Sequence, residues 1–134
     1  MTTTYFLNAI MGNVFHSKSD PAIPAAYYIG LSSTTPSMDG SNVTEPSGNG
    51  YQRVQVTNLS EPTSGEIYNT TDIEFPESTG DWGTIRSYVL YDSPTGGNLL
   101  MYEDFPNSKV IQAETQARFK AGSLRFTLSN PTEG

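Results

Sequence analysis

The sequence predicts an all-β domain, an antiparallel β-sandwich of jelly-roll character, with one short helix at its N-terminus. Three observations predict it. Apolar and polar residues alternate in several short runs, the period of a strand that buries one face. Twelve Gly and nine Pro among 134 residues interrupt the chain too often for long helices. Only one segment, residues 4–16, spaces its apolar residues as a helix does.

In that segment, TYFLNAIMGNVFH, Phe6, Ile10 and Val14 recur every fourth residue, and Leu7 and Met11 widen the stripe. Thr3 or Thr4 is placed to cap the first turn. Gly12 weakens the helix by ~1 kcal/mol relative to Ala. The proline pairs Asp20-Pro21 and Ile23-Pro24 end it, since the residue before proline avoids the α region. Strands follow. Tyr27, Ile29 and Leu31 alternate with Tyr28 and Gly30, and a polar loop spans 32–50. A strand is expected over Tyr51–Thr57, then short ones at Ile67 and at Ile73 and Phe75. Thr84–Tyr91 reads as a central strand buried on both faces, with Ile85, Val89 and Tyr91 on one and Tyr88 and Leu90 on the other. Pro94-Thr95-Gly96-Gly97 turns the chain back into Leu99–Phe105, a β-hairpin over 84–105. Weaker strands are expected at Lys109–Ile111 and Ala117–Lys120. The last runs from Ser123 to Leu128, with Leu124, Phe126 and Leu128 inward and Arg125 and Thr127 outward. About eight strands separated by turns suit a sandwich. The domain reading is 1–20 for helix and connector, 21–130 for the sandwich, and 131–134 for a frayed tail.

Composition narrows the function. Fourteen acids against seven bases give a net charge of −7. Nucleic-acid binders need clustered cations to neutralise phosphates, and here the bases are scattered from Lys18 to Arg125. Nucleic-acid binding and membrane insertion are therefore not expected. The absence of cysteine removes disulfides, zinc-thiolate sites and Cys nucleophiles. Met1-Thr2-Thr3-Thr4 has no basic n-region, so synthesis in the cytosol is expected.

No catalytic set emerges, and no catalytic, cofactor-binding or metal residue is assigned. His16 is the sole histidine, just past a helix end, too few for a metal site and without a nucleophile elbow for a triad. Glu74 with Glu77, Asp81 beside Trp82, and Glu103 with Asp104 are the acid pairs to weigh for glycoside hydrolysis. Alternation turns Glu74 to solvent and splits Glu103 from Asp104, so solvated acids are expected. Asp39-Gly40-Ser41-Asn42 lacks the spaced acids of a calcium loop and reads as a turn. Asn42-Val43-Thr44, Asn58-Leu59-Ser60 and Asn69-Thr70-Thr71 match the glycosylation sequon, which matters only after secretion. Trp82, between glycines at a strand entrance, is expected to plug the end of the core; the alternative is a platform for a sugar ring. A helix this short is marginal alone, so its stripe must be covered. Phe6, Ile10 and Val14 are the candidate assembly contact, with the stiff connector Asp20–Pro24 letting the helix reach a neighbour.

Several stretches in order and spacing cover nearly the whole chain: NVFHSKS, AAYYIGLSSTTPS, DGSNVTEPSGNGYQRVQV, NTTDIEFPESTGDWGTIRSYVLYDSPTGGNLLMY and FKAGSLRFTL. Together they resemble a family of small phage tail proteins, described as tail fibre, minor tail or baseplate components. VTEPSGNGYQRV and the block from Ile73 to Tyr102 are the most specific parts. The resemblance implies a non-enzymatic virion component without cofactors, made in the host cytoplasm and assembled with other virion proteins. A homo-oligomer and contact with a host-surface glycan are the further expectations. A capsid head-fibre or decoration protein, or a carbohydrate-binding sandwich module, stand as alternatives.

Overall fold

The computed structural model describes residues 1–17 and 21–127. The inward placement of Leu128, the sandwich boundary at residue 130, the tail at 131–134 and the first residue of the connector, Asp20, lie outside them.

Helix α1 spans Thr4–Phe15, and the strands are β1 (Tyr28–Ser32), β2 (Val54–Gln55), β3 (Glu66–Tyr68), β4 (Ile73–Glu74), β5 (Gly83–Tyr91), β6 (Leu99–Ile111), β7 (Arg118–Phe119) and β8 (Arg125–Thr127). Every pairing is antiparallel. One sheet has the order β2-β1-β5-β6; the rest of the chain forms two short ladders, β3-β8 and β4-β7. The main core joins Ile29, Leu31, Ile85, Tyr88, Leu90 and Leu100 of the large sheet to Ile73, Phe75, Phe119, Leu124 and Phe126 of the ladders. This is a sandwich whose second layer is split in two. A smaller cluster on the sheet's other side holds Val89, Tyr91, Leu99 and Tyr102, with Val43 of the 33–53 loop against it. Burial on both faces accounts for the apolar run Tyr88–Tyr91 of β5.

Four elements differ from the sequence expectation. The first is the facing of β5: Ile85 lies with Tyr88 and Leu90 on the main core, while Val89 and Tyr91 face the other way. A register shift between Ile85 and Ser87 inverts the alternation, as a bulge does. The second is β6, which continues through Phe105 to Ile111 where two strands were expected. Its pairing passes from Ser87↔Asp104 to Ile85↔Lys109, so residues 105–108 are surplus to the ladder, which resumes beyond them, and Phe105 packs against the main core.

The third is the expected strand Tyr51–Thr57, which pairs only at Val54–Gln55. Tyr51 and Arg53 are committed to Glu45 instead, through the Tyr51 hydroxyl and two guanidinium nitrogens. The fourth is the helix. Residues 1–3 run along β6, with Thr3 N–H donating to the Leu100 carbonyl and Tyr102 N–H to that of Met1. Thr3 is fully buried, accepts the Phe6 N–H at 3.3 Å, and donates its hydroxyl to Leu99 O at 2.7 Å. One threonine thus caps α1 and fastens it to the sheet. The helix lies on its own domain and does not stand off on its connector.

Candidate functional site

The helix presents two apolar faces. Ala9 is fully buried, and Tyr5 and Phe6 pack against the main core. On the other side Leu7, Met11, Val14 and Phe15 point to solvent, from 40% exposed at Leu7 to 70% at Phe15. At ~100° per residue these four lie within an arc of about 100°. The face carries no charged group, since α1 contains none. The stripe Phe6, Ile10 and Val14 is therefore not one surface. A row at four-residue spacing drifts by about 40° per step around a helix of 3.6 residues per turn. Phe6 sits against the domain, Ile10 at the rim, and Val14 is 64% exposed.

Trp82 stands at the far end of the core, 6% exposed. Its indole N–H donates to the Asn49 carbonyl at 2.9 Å, and its ring meets Tyr51 edge-on at 5.3 Å. A ring so covered offers no face to a sugar. The Gly48-Asn49-Gly50 turn is the plug's collar: Asn49 Nδ2 also donates to Asp81 O at 3.0 Å.

Glu45, Tyr51 and Arg53, all within the VTEPSGNGYQRV stretch, form a half-buried cluster. Arg53 pairs with Glu45 at 2.7 Å, with the two side chains 7% and 20% exposed. Its guanidinium also donates to Ser93 O at 2.7 Å and Gly96 O at 2.8 Å, and lies 3.6 Å over the Tyr91 ring. The Tyr51 hydroxyl accepts Leu31 N–H. Burial, and then the Glu45 carboxylate, push the Tyr51 phenol far above its ordinary value. A Cβ on Gly30 would come within 2.8 Å of this cluster, so the β1 glycine leaves room for it. The most specific motif of the chain is a clip that pins the long loop to the β5–β6 turn.

The weighed acids are dispersed. Glu74 faces Arg118 at 3.4 Å, Asp81 accepts the Ala113 N–H, Glu103 meets the Met1 amino group, and Asp104 accepts the Thr35 hydroxyl. Glu77 is exposed, as is His16, whose backbone N–H closes the helix on Gly12 O. Asp39 caps its own turn: the Ser41 hydroxyl and N–H both donate to it and hold its carboxyl below the usual range. Among the described residues no three His, Asp or Glu side chains gather as a metal site would require, and no helix is long and apolar enough to cross a membrane.

In the sequence Asn69 shows only a sequon. It is fully buried, its amide donating to Thr71 O and Lys120 O at 2.9 and 3.0 Å and accepting Leu124 N–H at 2.9 Å. It ties the β7–β8 turn to β3, with partners about fifty positions away that no local signal could reveal.

The family described as podophage GP4 fiber I protein gp80 matches residues 1–127, from the first residue through the last described strand. The chain belongs to this fibre family. No curated protein matches it. Membership makes it a structural fibre component of a phage virion, in company with other virion proteins, in keeping with the resemblance read from its motifs. The match takes in α1, the Glu45–Arg53 clip and the Trp82 collar.

Proposed function

We propose that this fibre protein is a non-enzymatic subunit that assembles with copies of itself through the outer face of α1, and that the assembled fibre serves host attachment. The observation that carries the proposal is the uncharged apolar face Leu7, Met11, Val14 and Phe15, held rigidly by Thr3 and Ala9. Apolar side chains in a contiguous group mark association surfaces. Subunits of net charge −7 repel one another, and a contact made by an uncharged helix adds nothing to that repulsion. Dispersed, solvated acids and one exposed histidine support the non-enzymatic reading. A cysteine-free virion part made in the host cytoplasm is in keeping with it.

The test replaces Leu7, Met11, Val14 and Phe15 with Ser and measures mass by light scattering alongside thermal melting. The expected result is loss of the oligomer with the monomer's melting preserved. An oligomer that survives, or a wild-type chain that is monomeric at every concentration, overturns the proposal. Phe6→Ser serves as the opposite control, lowering stability because Phe6 packs on the core.

A further inference from the structure

A second apolar surface lies on the opposite flank of α1. A cavity of about 330 Å³ opens between the helix, the loop ahead of β3 and the β3-β8 ladder. Phe6 and Ile10 of α1, Leu59 and Pro62 of that loop, Ile67 of β3 and Phe126 of β8 line it. Phe126 belongs to the buried core, while Phe6, Ile10, Leu59 and Ile67 are only half-buried and Pro62 stands exposed at the rim. The charged residue of the lining, Glu66, is paired with Arg125 at 2.8 Å. An apolar cavity of ~150 Å³ already takes up benzene, so this one has room for an aromatic side chain.

The chain carries such a side chain. Phe15 is 70% exposed, the most exposed large apolar residue among those described. It cannot enter its own cavity. At ~100° per residue, Phe6 and Phe15 leave α1 about 180° apart. Ring and cavity therefore face opposite ways from one helix. Area separates the ways in which copies can meet. A stable contact buries ~800 Å² on each partner, and a large side chain offers at most ~150–250 Å². Leu7, Met11, Val14 and Phe15, exposed between 40% and 70%, fall well short of that when packed only on their own counterparts. Such a pairing also leaves the cavity open to water. A head-to-tail contact covers both apolar surfaces of every chain.

We propose that Phe15 of one copy seats in this cavity of the next, joining the copies head to tail. The contact is heterologous. Because ring and cavity face opposite ways, two copies do not close on each other, and the contact repeats into a ring or a row. Neither surface carries an unpaired charge, so chains of net charge −7 meet there with least repulsion. The inference rests on assembly through the outer face of α1 and names the surface that receives it.

Two kinds of full-length variant test it. Phe15→Glu removes the entering ring and keeps the cavity. Pro62→Glu charges the cavity's exposed rim and keeps the ring, and Leu59→Glu repeats this with the charge on the wall. Each alone is expected to be monomeric by light scattering, with thermal melting as the check on folding. Mixed in equal amounts, Phe15→Glu and Pro62→Glu should form a dimer of one copy of each and stop there. That pair has one intact ring in one intact cavity and nothing left to extend. A mixture that stays monomeric overturns the head-to-tail contact in favour of α1 packed on α1, where a charged Phe15 position spoils every contact. Full assembly of both Pro62→Glu and Leu59→Glu overturns the cavity assignment and leaves assembly through α1 standing. A wild-type chain that is monomeric at every concentration overturns both.

Discussion

Trp82 is placed by two things a reader of the chain can partly see. The flanking glycines and the strand that begins at Gly83 predict a ring at the entrance to the core. The partner of its indole N–H, Asn49 O, lies 33 positions away and is invisible in the sequence. Trp82→Ala should cost ~3–5 kcal/mol, because a large buried ring leaves a cavity and the Asn49 carbonyl loses one of its two donors, keeping only the Thr79 N–H. Denaturant unfolding measures it, and wild-type stability in that variant would contradict the packing described. Asn69 makes the complementary case. Its residue type suggests a turn or a sequon, and its role follows from strand β3 meeting the β7–β8 turn across the fold.

Single elements behave as combinations of local preference and distant partners. The clip of Glu45, Tyr51 and Arg53 suppresses a strand that alternation alone predicts, leaving only Val54–Gln55 paired. Removing one member of a mostly buried ion pair strands the other, so Arg53→Leu should cost about 3 kcal/mol. Glu45→Leu together with Arg53→Leu should recover part of that loss, since no unpaired charge remains. A double-mutant cycle in urea checks both, and additive losses would show that the pair acts as two separate contacts. The same interplay governs α1: four-residue spacing predicts the helix, and the 40° drift per step divides its stripe between core and solvent.

At the scale of the whole molecule, buried phenols make stability fall in alkali. Burial, and then the Glu103 charge, raise the Tyr88 pKa from 10 to about 12. Burial also raises Tyr51, Tyr27 and Tyr91. Unfolded tyrosines ionise near 10, so above that pH the unfolded chain holds fewer protons than the folded one. The Tyr88 contribution is whole below pH 10 and lost as pH rises through about 12, a loss of ~2–3 kcal/mol from this residue. Urea midpoints measured from pH 8 to 12 should fall steeply above 10, and Tyr88→Phe should fall less. A flat profile would contradict the burial of these rings.

The amino-acid sequence by itself determined the fold class, the capped helix, the β5–β6 hairpin, the inward Leu124 and Phe126 and the family, because each rests on neighbours within a few residues or on motifs read in order. Only the tertiary structure decided which way Ile85 faces, that Lys109–Ile111 continues β6, that Phe6 serves the core while Val14 meets solvent, and that Asn69 ties β3 to the β7–β8 turn. Those outcomes depend on register shifts and on partners tens of residues away. A bulge of a few residues inverts every side chain beyond it, and no local period records where a ladder will slip.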